Sequence, residues 1–480
     1  MNINKIILVV FVCILTNPYS TYTIEQNNNI DVEKLKKSIV NIDFEIAKAL
    51  YGGTGRGTGT GFIADKKLGI IFTNSHIAAV TNIADYIIRF SDGSETSAKF
   101  LYNDLYTDFG ILKVDPKTLP ENSLEVELSN EIPKVGDSLF IIGNNENYGF
   151  SFHEGYLSKK YDLNGIIPQA SYVINLNAAG GSSGSPVFNT KGKVVAINYG
   201  GSKTSSFALK NYYMKDALNH LKEGKQPKRN HIGVTFAMYN LEKAIKHRNF
   251  DRKLAKKYRD IFPDSKSSII IVDKITAGSK ASESLKNGDI IWQVNGKILG
   301  PDLVSLDEIM DNSKENSNIS INVIREGKIV NCSIPVYSVE KNKATEAIEF
   351  AGTIFFKADD LYSFATNIPI GSISYSLTIQ GSPFNNIAST IHGGYRTHIK
   401  KIDNIIISNL DQIIDLSESI INKRYSTINF IDYVPYRTFN DLLIHSNVEK
   451  TIDITLDKFE NKAKKLFFNN KTLEWRQYDK

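Results

Sequence analysis

Cysteine is nearly absent from this chain. Among 480 residues only Cys13 and Cys332 are present, and Cys13 lies in an N-terminal segment that we expect to be removed. A single remaining thiol excludes an intramolecular disulfide, so the fold must be held together by core burial alone. The eight histidines are scattered, and no group of Cys and His residues has the spacing of metal ligands. We therefore expect neither a metal ion nor another cofactor.

An excess of charge of one sign is also lacking. Lys and Arg number 57 against 52 Asp and Glu, and the basic residues are dispersed. Without a basic stripe that could follow a phosphate backbone, we expect no nucleic-acid partner. The 41% of hydrophobic residues and 23% of charged residues are typical of a globular protein. At this length the chain should contain two to four domains.

Long apolar runs are scarce, and the most informative one lies near the N-terminus. Lys5 is followed by ten apolar residues, Ile6–Leu15, and then by the polar break Thr16-Asn17-Pro18. This run is too short to span a bilayer comfortably and has the form of a secretory signal. We predict that residues 1–22 are a signal peptide, cleaved near Ser20, and that the protein is exported to the periplasm or secreted. The alternative is an uncleaved segment that anchors the protein to the membrane.

A glycine- and serine-rich stretch within Asn177–Phe188 carries the strongest chemical signal. By itself such a run is most often a loop or linker. Glycine also permits the unusual backbone angles that hold one hydroxyl outward while N–H groups converge beside it, as a nucleophilic serine requires. Ser183 is the best candidate nucleophile because it is flanked as Gly-x-Ser-Gly, with Ser182 and Ser185 as rivals. The backbone N–H groups of Gly181 and Ser183 would then form the oxyanion hole.

A serine nucleophile needs a base, and the base needs an orienting group. His76 follows the apolar run Ile71-Phe72-Thr73, and Asp108 begins another apolar run that ends at Val114. The order is His, Asp, Ser, with gaps of 32 and 75 residues; chymotrypsin-type proteases have this order, unlike subtilisins and α/β-hydrolases. Asp104 and Asp115 compete with Asp108, but neither opens a strand as Asp108 does.

These segments resemble the three active-site motifs of the HtrA/Deg serine proteases. The motifs are Thr73-Asn74-Ser75-His76, Thr107-Asp108-Phe109-Gly110-Ile111-Leu112 and Gly181-Ser182-Ser183-Gly184-Ser185-Pro186. The form of the last motif, together with Asp108–Pro116, is most similar to the branch of large Deg-type proteases with a duplicated protease unit, of which this chain would correspond to one. The resemblance implies that His76, Asp108 and Ser183 form a catalytic triad. It also implies a mainly β fold: a chymotrypsin-like double β-barrel over residues 51–226, followed by two α+β PDZ-like domains.

The sequence of the protease segment agrees with a barrel architecture, because short β-rich runs alternate with turn residues. The runs are Ile70–Thr73, Tyr86–Phe90, Ile111–Val114, Ser138–Ile142, Tyr172–Leu176 and Val194–Asn198. Ahead of the barrels, apolar residues recur at three- and four-residue steps from Val32 to Leu50, which predicts an amphipathic helix within residues 23–50. The resemblance further implies a homotrimer.

The remainder of the chain resembles PDZ domains. Asn287-Gly288-Asp289 and Val294-Asn295-Gly296 carry the resemblance for a first domain at residues 229–338. The resemblance implies that its peptide-binding loop, which would hold a peptide C-terminus, is Ile232, Gly233, Val234 and Thr235. Residues 345–440 form a weaker copy without the Asn-Gly-Asp turn, so either peptide binding or a structural role against its neighbours remains open. Residues 441–480 are expected to be a C-terminal tail.

The residues alone predict an endopeptidase, and the resemblance adds unfolded or damaged polypeptides as substrates. The run Ser171–Ser182 contains no Asp or Glu. A neutral specificity pocket for small or medium apolar side chains is therefore expected. The alternative from another class is a proteolytically silent, peptide-binding chaperone or adaptor.

Overall fold

The computed structural model defines the arrangement of most of the chain. It describes residues 30–50, 54–146, 148–165, 167–202, 204–377, 382–384, 397–420, 423–437, 443–456 and 462–478. The predicted signal peptide, residues 1–22, lies outside the described residues. None of the helices in the described ranges is long and apolar enough to cross a membrane.

The first six strands form a closed antiparallel barrel in the order β1-β2-β3-β6-β5-β4. A short helix, α1 (Val32–Lys36), precedes it, and a 3-10 helix (Pro116–Thr118) follows it. The strands are β1 (Ile39–Ala49), β2 (Gly55–Asp65), β3 (Ile70–Thr73), β4 (Asn82–Phe90), β5 (Glu95–Asn103) and β6 (Gly110–Lys113). Phe62, Phe72 and Phe109 meet edge to face in the core, with ring centroids 5.8 and 5.1 Å apart.

The predicted amphipathic helix within residues 23–50 is wrong over its described part. Only Val32–Lys36 is helical, and Ile39–Ala49 is strand β1, which pairs with β2 on one side and β4 on the other. The apolar residues from Val40 to Ile46 also recur at every second position, and the β-branched ones fit a pleated surface better than a helix. The sequence of this segment fits both a helical and an alternating spacing of apolar residues. Pairing of β1 with β2 and β4 selects the strand.

The next six strands close a second barrel in the order β10-β11-β12-β9-β8-β7, and helix α2 (Tyr212–Lys222) leaves it. The strands are β7 (Ser138–Asn145), β8 (Tyr148–Asn164), β9 (Gln169–Ile174), β10 (Pro186–Asn189), β11 (Val194–Gly201) and β12 (Ser206–Lys210). Each of the six β-rich runs predicted from the sequence overlaps a strand of one of the barrels, so the double-barrel fold is confirmed.

The region resembling a first PDZ domain is a sheet in the order β14-β15-β16-β18-β19, with β17 paired to β16 and β13 paired to β20. Its strands are β13 (Asn230–His231), β14 (Val234–Asn240), β15 (Ser268–Ile275), β16 (Ile290–Val294), β17 (Lys297–Ile298), β18 (Asn318–Arg325), β19 (Lys328–Pro335) and β20 (Tyr337–Ser338). Its helices are α3 (Leu241–His247), α4 (Arg252–Ile261) and α5 (Val304–Asp311), with 3-10 helices at Pro263–Ser265, Lys280–Glu283 and Val339–Asn342.

The last part of the chain forms one large antiparallel sheet in the order β27-β26-β24-β23-β22-β21-β28-β29, and β25 pairs with β24. Its strands are β21 (Glu346–Phe350), β22 (Thr353–Lys357), β23 (Ile373–Leu377), β24 (Thr397–Ile402), β25 (Ile405–Ile406), β26 (Ser426–Arg437), β27 (Leu443–Ile454), β28 (Lys464–Asn469) and β29 (Glu474–Gln477). Among the described residues of this region, the helices are α6 (Asp360–Thr366) and α7 (Asp411–Ile420).

The division into a domain at residues 345–440 and a tail at residues 441–480 is therefore corrected. Strand β27 pairs with β26 along its whole length, and β28 pairs with β21 at the other side of the same sheet. Buried Leu466 and Phe468 contribute to the cores beneath. We refer to residues 345–477 as the C-terminal module.

The C-terminal module lies against the first barrel. Lys48 pairs with Glu349 at 2.7 Å, and the Ser376 hydroxyl donates to the Ala49 carbonyl at 2.8 Å. The Trp475 indole N–H donates to the Val80 carbonyl at 2.7 Å. Val80 follows His76 by four residues. This packing favours the structural role that the sequence left open for the module.

Replacing Trp475 with Phe should weaken this attachment. The ring still fills part of the space, but the hydrogen bond to Val80 is lost, so we expect the free energy of unfolding to fall by about 1 kcal/mol. Urea denaturation followed by far-UV circular dichroism measures the change. Tyr478→Phe, which removes an exposed hydroxyl from the same end of the chain, is the matched control and should behave like the parent protein. Equal stability of the Trp475→Phe and Tyr478→Phe proteins would contradict the expectation.

Candidate active site

His76 sits in a turn that directly follows the buried strand β3. The N–H groups of Ile77 and Ala78 both donate to the Asn74 carbonyl, which closes the turn around His76. The Asn74 side chain donates to the backbone carbonyl of Asp108 at 2.9 Å. The first barrel therefore ties the histidine turn to the segment that carries the aspartate.

Both carboxylate oxygens of Asp108 form hydrogen bonds with His76. Asp108 Oδ2 lies 2.7 Å from His76 Nδ1, and Oδ1 accepts the backbone N–H of His76 at 2.9 Å. An ionised carboxylate can only accept, so Nδ1 carries the proton and Nε2 is left as the basic nitrogen. The imidazole is 47% exposed and can reach a substrate. This geometry is that of the His–Asp half of a catalytic triad.

The environment of His76 tunes its basicity. Burial lowers the pKa of the imidazole, but the charge of Asp108 and its hydrogen bond outweigh this effect, so the pKa lies above its ordinary value of 6.5. A raised pKa means a stronger base once the ring is neutral. It also means that the ring becomes neutral only at a higher pH.

The nucleophile loop can be built only with glycine at two positions. Gly181 and Gly184 have φ angles of +93° and +87°. A Cβ on Gly184 would lie 1.9 Å from the Thr60 carbonyl oxygen, and one on Gly181 would lie 2.6 Å from the Asn144 carbonyl oxygen. The loop is thus pressed against backbone from both barrels, which fixes its shape.

Two amides of this loop have the property that an oxyanion hole needs. The N–H groups of Ser182, Gly184 and Ser185 donate to backbone carbonyls within the second barrel. Those of Gly181 and Ser183 donate to nothing among the residues that the structure describes. The two donors predicted from the sequence are therefore the two that are available to a ligand.

Ser183 is the accessible serine of the three candidates. Ser182 is 3% exposed and its hydroxyl donates to the Ala179 carbonyl, while Ser185 is fully buried. Ser183 is half-buried, and its carbonyl accepts the N–H of Thr60 from the first barrel. A Cβ on Gly59 would lie 2.3 Å from Ile77 Cδ1 and 3.5 Å from the Ser183 carbonyl oxygen, so the histidine and serine segments flank the same position of β2.

The third link of the triad is open in this structure. Within the described parts of the chain, no hydrogen bond joins the Ser183 hydroxyl to His76. The structure brings His76 and Asp108 together and places Ser183 beside them. Hydrogen bonds of catalytic groups are often long before substrate binds and tighten in the complex.

The rival aspartates have other partners. Asp104 is buried and pairs with Arg229 Nη1 at 2.9 Å. Asp115 is at the start of the 3-10 helix, where its side chain accepts the N–H of Lys117. Neither carboxylate contacts His76, so Asp108 is the orienting group that the geometry supports.

Two residues that support the site were missed from the sequence. Buried Gln169, at the start of β9, accepts the N–H of Asp108 at 2.6 Å and so links the second barrel to the aspartate. Thr60 in β2 donates its hydroxyl to the Gly181 carbonyl at 2.9 Å and accepts the N–H of Asn144 at 2.8 Å. No local pattern distinguishes this Gln or this Thr, because their partners lie 61 or more residues away in the chain.

The predicted peptide-binding loop, Ile232–Thr235, is buried in this structure. Its neighbour His231 stacks on Tyr106 of the first barrel with ring centroids 3.4 Å apart. Only a cavity of about 10 Å³ remains between Val234–Phe236, helix α5 and the barrel residues Ile167–Gln169. A peptide could occupy the loop only after the domain had moved away from the barrels, and peptide binding there stays a prediction.

Comparison with known proteins agrees with this geometry. The family model described as "Trypsin-like peptidase domain" matches residues 59–197. The pro-apoptotic serine protease NMA111 of Meyerozyma guilliermondii is 26% identical over 437 residues, which cover 86% of this chain and 42% of that protein. A PDZ domain-containing protein of Schizosaccharomyces pombe is 27% identical over 340 residues, 68% of this chain and 33% of that protein. The chain spans less than half the length of these relatives.

Among solved structures, the HtrA-type protease AlgW with a tripeptide is 21% identical, with a TM-score of 0.47, over 64% of this chain and 97% of that one. The two closed barrels, with a His–Asp pair beside a serine in a glycine-rich loop, define a trypsin-like serine peptidase domain. The resemblance of the three motifs to HtrA/Deg serine proteases agrees with this similarity to known serine proteases.

The raised pKa of His76 gives a direct test of the pair. NMR titration of the His76 imidazole should give a pKa above 6.5 in the parent protein, because the ionised Asp108 stabilises the protonated ring. Asp108→Asn removes that charge, so the pKa should fall below the parent value. Activity, where measured, should accordingly be lost as the pH falls through the His76 pKa, since a protonated ring accepts no proton.

His153 contacts Asn145 and Ser151 and has no contact with Asp108, so its ring resonances at one fixed pH are the control for an intact fold. They should be the same in both proteins. If the His76 curve were also unchanged by Asp108→Asn, the assignment of Asp108 as its charged partner would be wrong.

Proposed function

We propose that this protein is a serine endopeptidase that hydrolyses unfolded or damaged polypeptides. The observation that carries the proposal is the arrangement where the two barrels meet. A carboxylate holds an exposed imidazole, beside a glycine loop that presents one accessible serine and two amides without partners among the described residues. These are the parts of an acyl-transfer site.

The chemistry follows from which atoms are available. His76 Nε2 takes the proton of Ser183 as its oxygen attacks the peptide carbonyl, and Asp108 stabilises the imidazolium that forms. The oxyanion is held by the N–H groups of Gly181 and Ser183. Loss of one such donor typically lowers kcat roughly 10²- to 10³-fold. The imidazolium then protonates the leaving amine, and water activated by the same ring hydrolyses the acyl-enzyme.

An apolar or small side chain is the proposed preference at the cleaved bond. Two described residues beside the segment that precedes the nucleophile loop are neutral: Ser206 is buried and donates its hydroxyl to the Leu176 carbonyl, and a Cβ on Gly201 would lie 3.7 Å from the Ala178 carbonyl oxygen. A basic side chain would need a buried carboxylate, and Ser171–Ser182 supplies none. Unfolded chains expose apolar side chains, which suits such a site.

Labelling with a fluorophosphonate tests the enzyme directly. The probe should attach to Ser183 and to neither Ser182 nor Ser185, as read by mass spectrometry of the digested protein. Casein should be cleaved by the parent protein and left intact by Ser183→Ala, whereas the control Ser202→Ala, at an exposed position, should cleave like the parent. If neither protein cleaves casein and both suppress its aggregation equally, the chaperone alternative replaces the protease.

We also propose that the protein is exported and that it assembles as a homotrimer. The first rests on the signal-like residues 1–22 and the second on the family resemblance. N-terminal sequencing of the protein from its native host should begin near residue 21. A chain that still starts at Met1 in a membrane fraction would instead establish the anchor. Light scattering after gel filtration should give three times the mass of one chain.

A further inference from the structure

The turn that carries Asp108 is a meeting point for three parts of the molecule. We call residues 104–109, between β5 and β6, the Asp108 turn. Its shape depends on Asp104, whose carboxylate accepts the N–H of Tyr106 and the hydroxyl of Thr107, both at 2.8 Å. The Asp104 N–H donates to the Phe109 carbonyl at 2.9 Å and closes the turn. Whatever fixes Asp104 and Tyr106 therefore fixes the backbone that positions Asp108.

Arg229 fixes Asp104 from outside the barrels. It lies in the segment that joins helix α2 to the first PDZ-like domain, and its Nη1 donates to Asp104 Oδ2 at 2.9 Å. On its other side it pairs with Asp311 of helix α5 at 3.0 Å, and Asp307 of the same helix lies 3.7 Å away. All four side chains are less than a tenth exposed. The guanidinium is thus a buried bridge between the Asp108 turn and the PDZ-like domain.

Tyr106 connects the same turn to the C-terminal module. Its ring stacks on His231 at an interplanar angle of 24°, and its hydroxyl donates to Asp360 Oδ1 of helix α6 at 2.9 Å. Asp360 is buried and also accepts from Tyr337 and, at 2.7 Å, from Asn342. The PDZ-like domain therefore holds the ring face through His231, and the hydroxyl lies between Asp360 of the C-terminal module and Tyr337 and Thr276 of the PDZ-like domain, at 3.2 and 3.4 Å.

We propose that the two C-terminal domains position Asp108 through this turn, with Arg229 and Tyr106 as positioning residues for the catalytic pair. Neither side chain touches His76 or Ser183. Each acts by holding the turn in the conformation in which both oxygens of Asp108 reach His76. Misplacement of a catalytic group by about 1 Å can cost roughly 10²-fold in rate, so small shifts of the turn suffice. The proposal rests on the proposed protease function.

Tyr106→Phe is the mild test, because the ring still stacks on His231 and only the contacts of the hydroxyl with Asp360, Tyr337 and Thr276 are lost. We expect kcat on casein or a peptide substrate to fall roughly tenfold with KM unchanged. The acid limb of the pH profile should move to lower pH, since Asp108 is the charged group that faces His76. Asn342→Ala is the matched control: it removes a donor from the same Asp360 carboxylate without touching the turn, and it should keep the rate and pH profile of the parent.

Arg229→Lys is the stronger test. An ammonium group keeps the charge but cannot bridge Asp104 and Asp311 as the planar guanidinium does, so the fall in kcat should be larger than for Tyr106→Phe. NMR titration of His76 in both variants reports the position of Asp108 without any need for activity. Thermal unfolding of each variant shows whether it is folded, and Tyr106→Phe keeps the test valid if Arg229→Lys does not fold.

The outcomes separate this proposal from the protease function. A lower kcat together with a lower His76 pKa in folded Tyr106→Phe, but not in Asn342→Ala, supports the positioning role. If the parent cleaves casein and both variants keep its kcat and its His76 titration, the positioning role is wrong and the protease function stands. A lower kcat with an unchanged His76 titration also overturns it, because the residues then act only on stability. If the parent is neither active nor labelled at Ser183, the protease function fails, and the titrations alone decide whether the turn is positioned as proposed.

Discussion

The carboxylate of Asp108, with one oxygen on the ring and one on the backbone of His76, is the contact on which the proposed chemistry depends. It fixes the tautomer, raises the basicity of the ring and leaves Nε2 toward the cleft. The contact is made within the first barrel, yet it is held from elsewhere as well. Gln169 reaches it from the second barrel, and Arg229 and Tyr106 bring the C-terminal domains to the same turn. A local pair is thus supported by every domain that the structure describes.

The nucleophile loop belongs to the second barrel, but its conformation depends on contacts with the first barrel. Thr60 holds the Gly181 carbonyl and receives the Asn144 N–H, and its own carbonyl leaves no room for a side chain at Gly184. Close approach of this kind explains why glycine recurs in β2 as well as in the loop. A Cβ on Gly61 would also meet side-chain and backbone atoms at 2.9 Å. The glycines of β2 are therefore required mainly by packing within the first barrel, against Phe44, Ile77, Ile42 and Ile71.

Sequence reasoning could reach the double barrel and the candidate triad because both depend on local signals. Strand runs are short and repetitive, and the residues around His76, Asp108 and Ser183 form recognisable motifs. It failed for β1, where helical and alternating spacings coincide and only pairing with β2 and β4 distinguishes them. It also failed for residues 443–477, which were expected to be a tail. Their strands pair with β26 and β21, and no local sequence signal indicates that long-range pairing. Arg229 could not be found in this way, since its partners Asp104 and Asp311 lie 125 residues before it and 82 residues after it.

The interface that buries the predicted peptide-binding loop is the same interface that holds the Asp108 turn. Its centre carries one guanidinium and three carboxylates, an imbalance that low-dielectric surroundings do not tolerate well. Burial, with the charges of Asp311 and Asp104, raises the pKa of Asp307 to about 7 despite Arg229, so this carboxyl retains a proton well above its ordinary range. The folded protein then holds a proton that the unfolded chain has released. Its contribution to stability is complete only below the ordinary carboxyl pKa and is lost as the pH rises through about 7. Loss of this proton weakens the junction as the pH rises toward about 7, and the bridge of Arg229 to Asp104 and Asp311 is then the contact that must hold the domains together.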